Sequence, residues 1–462
     1  MGLFSKTDIK KATGIKPQIS DGMMDEITLW RDIYSNCPPW KQREGFDKVT
    51  GLAKTVCRDV AQKCTAEGRI STGDDALDAD LSFLTDALPE KVERVLALGA
   101  GVARPYYDAD KKSIGVEWYP ADRVVPLVWK GEDLVSVALL DFATVNNVTY
   151  CKVETHVWQN GTVSISSKAY VWNGGRLGGG VSLSAVDEWK DITEETIVIN
   201  NLKHPLFCYI KTPIANNIDG SKLGVSIFSN AVDQLEEIDK TFTDMAWERT
   251  AGKSKVFVAE SMIPQKMVNG KAVDDLSAVD REMYKVLDGG VEKDLFEVSA
   301  PSLRFDQYKA QMDELITLAC KNMGLDAKSF TSDHQGNAVT AQQILSEKNE
   351  TYTTVLNLQE KMLKPALRDI LESIRAMQIL YGIKAVLPED PDEVTISFGD
   401  SLLIDEESER QMAISEVQRG LRSKLSYLMD YRGMSEEDAL REIELIKADA
   451  PVIDYFGDGA GM

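Results

Sequence analysis

Residues 221–252 read SKLGVSIFSNAVDQLEEIDKTFTDMAWERTAG, and apolar side chains recur in this stretch at steps of three and four residues. The repeat comprises Phe228, Ala231, Leu235, Ile238, Phe242 and Met245. Because 3.6 residues make one helical turn, this spacing predicts an amphipathic helix over residues 223–251. Gly252 is expected to end it, and residues 255–259 (KVFVA) then have the composition of a strand.

A second helix is predicted after a short mixed insert. Its apolar positions are Phe305, Tyr308, Met312, Leu315, Ala319 and Met323, and Gly324 ends the segment. Residues 326–338 (DAKSFTSDHQGNA) contain few apolar side chains and a Gln-Gly-Asn turn signal. A polar loop is therefore predicted over these residues.

A third, unusually long helix is predicted over residues 340–380. Thr340 and Gln343 fit the capping box that begins a helix, and apolar residues keep helical spacing as far as Leu380. At 1.5 Å per residue this helix would be roughly 60 Å long. Pro365 predicts a kink, because its ring clashes with the carbonyl group one turn back.

The first half of the chain combines helices with strands. Helices are predicted over residues 24–35, 46–66 and 80–92, with Pro89 as an interruption in the last. From residue 95 to residue 201 the period changes to two, and Asp-Lys, Asn-Gly and Gly-Gly turns divide the strand-like segments. This pattern favours an antiparallel meander and an α+β fold.

The end of the chain predicts one strand and three short helices. The strand covers residues 393–398. The helices begin at Asp405, Ser423 and Ser435, which are residue types that cap helix N-termini.

Composition limits the class of protein. The chain has 462 residues, 43% of them apolar, which is enough for two to four domains with buried cores. Apolar runs stay short of the ~20 residues of a membrane helix, and the first residues lack the layout of a signal peptide, so neither a membrane span nor secretion is expected. The formal charge of −22 argues against a conventional nucleic-acid-binding protein.

Residues that would carry chemistry are scattered. The three histidines, His156, His204 and His334, lack an acidic or cysteine partner at metal-ligand spacing, and the six cysteines form no C-x-x-C pair. Residues 173–180 (NGGRLGGG) are rich in glycine but lack the Lys-Ser/Thr ending of a phosphate loop, so a hairpin turn is predicted. The sequence predicts no catalytic residue, no metal site, no cofactor and no enzymatic activity.

The order helix, insert, helix, loop, long helix resembles the portal protein of tailed bacteriophages, in particular the type found in phages and prophages of Gram-positive bacteria. Five segments are similar to that family in the same order and span most of the chain. They are residues 97–126 (ALGAGVARPYYDADKKSIGVEWYPADRVVP), 220–239 (GSKLGVSIFSNAVDQLEEID), 253–258 (KSKVFV), 340–352 (TAQQILSEKNETY) and 398–405 (FGDSLLID).

The resemblance implies a homo-oligomeric ring, normally of twelve subunits, at one capsid vertex, with double-stranded DNA passing along its axis. It implies an α+β subunit made of a mixed wing, a two-helix stem, a small clip, a long kinked wing helix and a C-terminal helical crown. By position, the wing would be residues 1–220 with 339–400, the stem 221–252 with 304–325, the clip 253–303, the tunnel loop 326–338 and the crown 401–462.

The resemblance also implies partners. Expected are the terminase large subunit, a head–tail connector or adaptor protein, and the major capsid and scaffolding proteins, while DNA would pass without sequence specificity and no membrane is involved. The protein would be found in the virion, at the portal vertex, and in the host cytoplasm during assembly.

The acidic composition fits a channel, because a surface that repels phosphates lets DNA slide. Twelve copies would carry roughly −264 charges. Candidate lining groups on the first stem helix are Glu236, Glu237, Asp244 and Glu248. The candidate loop residues are Lys328, Ser329, Phe330, Thr331, Ser332, Asp333, His334, Gln335, Gly336 and Asn337. Our hypothesis is that Lys328, His334, Gln335 and Asn337 make brief polar contacts with phosphates and that Asp333 limits them.

Helix packing is predicted for Phe228, Leu235, Ile238, Phe242 and Trp247. Whether the partner helix belongs to the same subunit or to its neighbour stays open. Two other functions also stay open. One is an adaptor protein of a phage-like particle that never encloses DNA, and the other is a nuclease or packaging ATPase, which would need the metal site or phosphate loop that the sequence lacks.

Overall fold

The computed structural model divides the chain into two compact units, residues 1–398 and 399–462. It describes residues 3–252, 255–259, 265–268, 271–274, 284–287, 296–299, 304–331, 341–383, 386–390, 393–399, 413–415, 417, 419, 422–432 and 434–448. The fold is α+β, as predicted, with long helices beside antiparallel sheets.

Three of the helices described in the first unit begin at a side-chain cap. The helices are α1 (Lys6–Thr13), α2 (Asp21–Tyr34), α3 (Leu52–Thr65), α4 (Asp75–Leu98), α5 (Val232–Ala251), α6 (Phe305–Asn322), α7 (Ala341–Leu358) and α8 (Lys364–Leu380). Ser5, Ser20 and Asp74 each accept a hydrogen bond from a backbone N–H in the first turn of α1, α2 and α4. These caps satisfy N–H groups that would otherwise have no partner within the helix.

Helix α4 corrects the prediction of an interruption at Pro89. The helix is 24 residues long and continues through Pro89 to Leu98. Gly99, with a left-handed backbone, caps its C-terminus. Leu88 and Val92, on either side of the proline, are buried, as are several other residues of the same face. Burial of such side chains stabilises the helix by about 1.5–3 kcal/mol each, which offsets the cost of about 3 kcal/mol for an interior proline.

Two sheets form the centre of the first unit. Strands β4 (Val124–Lys130), β5 (Asp133–Val145), β6 (Val148–Gln159), β7 (Thr162–Trp172) and β8 (Leu177–Val181) pair antiparallel in that order, and β9 (Ile197–Ile199) pairs with β7. The second sheet has the order β10 (Cys208–Lys211), β2 (Ala100–Asp108), β3 (Ser113–Pro120). A short pair joins β1 (Arg69–Ser71) to β16 (Thr395–Ser397). The predicted meander is confirmed, and the Gly-rich stretch after β7 turns at residues 173–176 before β8.

A buried group of charged side chains connects these two sheets. Arg104 on β2 lies 3.2 Å from Glu154 on β6, and Lys152 lies 2.9 Å from Asp141 on β5. His156 Nε2 is 2.8 Å from Glu154 Oε1, so this histidine has an acidic partner that sequence spacing did not indicate. Burial alone would raise the pKa of Glu154, but the neighbouring cations, Arg104 above all, hold it well below its usual range.

The start of α5 also corrects a prediction. The helix begins at Val232, after a 3₁₀ turn at Ser229–Ala231, and not at residue 223. Residues 223–228 instead run along the end of α4, where Ile227 N donates to Leu96 O at 2.9 Å. Val225, Ile227 and Phe228 are buried there. These apolar side chains therefore belong to the core of the first unit and are not part of α5.

The segment before α3 differs from its prediction as well. Helix α3 begins after Gly51 (φ +71°), so residues 46–50, predicted to be helical, have irregular backbone. Lys48 N and Thr50 N donate to side chains of α5 instead of to helical carbonyls.

The long helix keeps its predicted length but has a π-helical turn. Residues Gln359–Leu363 form that turn between α7 and α8, and Pro365 lies in the first turn of α8. A π turn shifts the backbone hydrogen bonds by one residue, which accommodates the missing N–H and the ring of a proline. The sequence indicated the position of this irregularity, and the structure shows its kind.

Five short strands are described within residues 253–303, the segment predicted to be the clip. Strand β11 (Lys255–Ala259), as predicted, pairs parallel with β14 (Tyr284–Leu287) and antiparallel with β15 (Phe296–Ser299). Strands β12 (Gln265–Val268) and β13 (Lys271–Asp274) form a hairpin. The described segments of the insert between α5 and α6 are thus strands.

The second unit contains α9 (Lys424–Arg432) and α10 (Glu436–Ala448). Ser423 Oγ accepts from Ser426 N at 3.0 Å, and Ser435 Oγ accepts from Asp438 N at 3.3 Å. Both predicted caps are confirmed. The helix predicted from Asp405 lies mostly outside the described residues.

Candidate functional site

The predicted stem is an antiparallel pair formed by α5 and α6. Leu235 and Ile238 of α5 are buried, as are Ile316, Ala319 and Cys320 of α6. Leu235, Ile238 and Ala319 belong to the predicted apolar repeats, whereas Ile316 and Cys320 do not. Of the other residues predicted to pack between helices, Phe242 is half-buried, Phe228 lies before α5 in the core of the first unit, and Trp247 is 70% exposed.

Hydrogen bonds join the end of α5 to the residue that precedes α6. Glu248, in the last turn of α5, accepts from Arg304 N at 3.1 Å, from Arg304 Nε at 3.1 and 3.2 Å and from its Nη2 at 2.8 Å. The guanidinium also lies 5.6 Å from the centre of the Tyr308 ring. These hydrogen bonds lower the pKa of Glu248 to about 2, and those from the Arg304 side chain contribute most.

A second link joins the opposite ends of the same helices. Asn322, the last residue of α6, donates from Nδ2 to Asn230 O at 3.3 Å and to Gln234 Oε1 at 3.2 Å. The stem pair is therefore connected by polar contacts at both ends, with apolar residues between them.

Residues 39–50 run along α5 and contact it through a buried carboxylate. Asp239 accepts from Trp40 Nε1 at 3.0 Å and from both the backbone N and the Oγ1 of Thr50 at 2.8 Å. One turn later, Lys48 N donates to Thr243 Oγ1 at 3.2 Å. These contacts fix the first stem helix to the N-terminal part of the chain.

The predicted channel-lining carboxylates are mostly paired within the chain. Glu236 lies 2.5 Å from Arg43, and Asp244 lies 2.7 Å from Lys240. Glu248 has the contact with Arg304 already described. Glu237 is exposed and has no ion pair among the residues that the structure describes. Of these four carboxylates, Glu237 thus keeps the charge that the fold does not offset.

The sequence allows one of these ion pairs to be predicted, but not the other two. Lys240 lies four residues before Asp244 on one helix, a spacing at which opposite charges pair. Arg43 and Arg304 are distant in sequence from their partners, and only the tertiary fold brings them together.

The predicted tunnel loop begins with a turn that is attached to α7. Gly324 (φ +70°) ends α6, and Leu325 N donates back to Cys320 O at 2.9 Å, the pattern of a Schellman cap. Asp326 N donates to Thr351 Oγ1 at 2.8 Å, and Thr354 Oγ1 donates to Gly324 O at 2.7 Å. The start of the loop is therefore held against the third and fourth turns of α7.

The first four candidate loop residues form turns after this attachment. Lys328 and Ser329 are exposed, whereas Phe330 and Thr331 are half-buried. Phe330 N and Thr331 N both donate to Ala327 O, at 2.9 and 3.0 Å. Six predicted residues lie outside the described part of the chain, namely Ser332, Asp333, His334, Gln335, Gly336 and Asn337.

The described residues contain no group of three or more His, Cys, Asp or Glu side chains that is placed to hold a metal ion. Among the same residues, no helix combines the length and apolar character needed to span a bilayer. His204, one of the scattered histidines, lies 3.0 Å from Glu372.

Comparison with known proteins adds a family match. Residues 86–451 match the sequence model of the family described as "Phage portal protein, SPP1 Gp6-like". No curated protein matches the chain.

Three solved structures with a similar chain come from gene transfer agent (GTA) particles. "Neck of empty GTA particle computed with C6 symmetry" shares 12% sequence identity, covers 86% of this chain and 93% of its own, and has a TM-score of 0.42. "Neck of native GTA particle computed with C12 symmetry" shares 11% identity over 92% of this chain and 98% of its own, with a TM-score of 0.36. "Virion of native gene transfer agent (GTA) particle" shares 11% identity over 92% and 96%, with a TM-score of 0.39.

Proposed function

We propose that this chain, which belongs to the SPP1 Gp6-like phage portal proteins, is a structural subunit of a closed ring. The ring lies at one capsid vertex, normally contains twelve copies, and surrounds an axial DNA channel. The observation that carries the proposal is the stem. An antiparallel helix pair connected at both ends, by Glu248 with Arg304 and by Asn322 with Gln234, is a rigid element of the kind that a channel wall requires.

The charge pattern of the stem supports passage of DNA without capture. Three of the four candidate carboxylates have cations beside them, and Glu237 remains exposed without an ion pair in the described chain. A weakly acidic wall repels phosphates and provides no cationic surface on which the backbone would be held. In this proposal double-stranded DNA slides during packaging and leaves by the same route during ejection, without sequence specificity.

The tunnel loop is proposed to be the part nearest the DNA. Its first residues are attached to α7 through Thr351 and Thr354. Within the loop, Lys328, His334, Gln335 and Asn337 would make brief contacts with phosphates, and Asp333 would limit them.

Further partners follow from this assignment as proposals. The clip would meet the terminase large subunit during packaging and a head–tail connector protein afterwards. The wing and crown would contact the major capsid and scaffolding proteins. The ring would reside at the portal vertex of the virion, after assembly in the host cytoplasm.

The experiment that tests the function is DNA packaging in cells that produce the particle with and without this chain. We expect particles made without it to contain no DNA and a copy of the gene supplied in trans to restore packaging. Filled particles in the absence of the chain would contradict the proposal and favour an adaptor that never encloses DNA. Robust ATPase or nuclease activity of the purified chain would favour an enzyme instead.

A further inference from the structure

A large cavity outside the stem lies between α8 and the segment that joins β9 to β10. Its volume is about 500 Å³, within the range of protein ligand pockets. The apolar part of its wall includes Leu202, Leu206, Leu371, Ile379, Leu380 and Leu387. We call this cavity the α8 groove.

Exposed apolar side chains surround the α8 groove. Ile379, on its wall, is 55% exposed, and Ile197 and Val198 of β9, whose last residue Ile199 also lines the groove, are 46% and 56% exposed. Scattered apolar residues are normal on a protein surface, but a group beside a cavity is typical of an interaction site. The groove and its rim therefore form one apolar surface.

Strand β9 restricts what kind of segment fits this surface. Its three residues pair with Val163–Ile165 of β7, and its other edge has no backbone partner among the described residues. Ile197 and Val198 point to opposite faces of the sheet, and both are exposed. An open edge without charge, proline or bulge is unusual, because such edges pair with other chains. The natural occupant is an extended segment that adds a strand.

Charged side chains at the groove favour an acidic occupant. Lys203 and Arg375 share Glu389, at 3.4 and 3.8 Å, and His204 lies 3.0 Å from Glu372. Arg368 also lines the groove and has no ion pair in the described part of the chain. The groove thus has three permanent cations and two carboxylates, on a chain whose net charge is −22. A second copy of this acidic chain is complementary to it.

We propose that the α8 groove is a contact between neighbouring subunits, in which an extended acidic segment of one copy pairs with the open edge of β9 in the next. The pairing adds backbone hydrogen bonds, the apolar groove receives side chains from alternate positions, and Arg368 receives a carboxylate. This proposal rests on the ring of the proposed function and assigns one of its interfaces.

The test compares assembly of full-length variants by sedimentation velocity and negative-stain electron microscopy. Val198→Lys places a charge on the open edge. The matched control is Val148→Lys, which makes the same substitution at an exposed valine of β6, a strand inside the same sheet. We expect Val198→Lys to need at least about tenfold more protein for assembly, a loss of about 1.4 kcal/mol. Val148→Lys and Val198→Thr should assemble like the unsubstituted chain.

Arg368→Glu provides an independent variant, because an exposed charge reversal leaves the β9 edge unchanged, and it should also weaken assembly. Rings formed by Val198→Lys and Arg368→Glu at the usual protein concentration would overturn the groove contact and leave the ring itself intact. An unsubstituted chain that forms no ring at any concentration would contradict the proposed function and this contact together.

Discussion

Glu248 and Arg304 connect the last turn of α5 to the residue that precedes α6 through four hydrogen bonds of 2.8–3.2 Å. Strands β11 to β15 lie in the chain between these two residues. One bidentate pair therefore fixes the base of the whole insert. Bidentate geometry adds orientation as well as attraction, which an ordinary surface ion pair does not.

Replacing Arg304 by Ala should loosen the base of the clip without unfolding the wing. The expected result is severalfold faster amide hydrogen exchange at the end of α5 and the start of α6. Local opening in the variant no longer has to break these hydrogen bonds, so it costs less free energy. Arg249→Ala, at the next position of α5, removes the same charge from a residue with no ion pair in the described chain. Equal exchange in the two variants would contradict a role for the Glu248 contact.

The same contact predicts a pH dependence. The pKa of Glu248 is lowered to about 2 in the folded chain, against an ordinary value of about 4.3 when unfolded. A lowered folded pKa means that the stabilisation is complete above about pH 4.3 and is lost as the pH falls towards 2. The difference in exchange between the unsubstituted chain and Glu248→Gln should be constant from pH 7 to about 4.5 and shrink below it. A difference that already declines near pH 6 would refute this assignment.

Asp239 is expected to be the most sensitive position on α5. Asp239→Ala leaves Trp40 Nε1 and the Thr50 N–H without their acceptor at a buried site. Unsatisfied buried donors cost about 1–3 kcal/mol each, so a loss of about 3 kcal/mol is expected in urea or thermal unfolding. Glu237→Ala, two residues earlier and exposed, should stay within about 0.5 kcal/mol. A stability loss as small as that of Glu237→Ala would show that the 39–50 segment does not hold α5.

Deletion of residues 332–337 tests the tunnel loop. If these residues contact DNA, their deletion should impair packaging or let packaged DNA escape, measured as DNA content per particle. A Gly-Ser segment of the same length separates the effect of loop length from that of side-chain chemistry. Packaging and retention unaltered by the deletion would mean that the tunnel-loop assignment is wrong.

Local patterns in the sequence were sufficient for much of the fold. Alternation and the Asn160-Gly161 turn predicted the pairing of β6 with β7, and Ser423 and Ser435 marked the caps of α9 and α10. These features depend on neighbouring residues, so a single sequence contains the information. The lysine–aspartate pair on α5 belongs to the same class.

Features that depend on distant residues were missed. Helix α5 starts nine residues late because Val225 and Ile227 are recruited to the core beside α4. Pro89 is tolerated because burial on both sides outweighs a lost hydrogen bond. The partners of Glu236 and Asp239 lie nearly 200 positions away, and no periodicity within one segment identifies such contacts.

The central claim is that this portal protein encloses an axial channel. Negative-stain electron microscopy of the purified full-length chain tests it most directly. The account predicts closed rings, normally of twelve subunits, with a stain-filled hole on the axis. Monomers, open filaments or rings without a central hole, over the range of protein concentration and salt in which the chain stays folded, would contradict it.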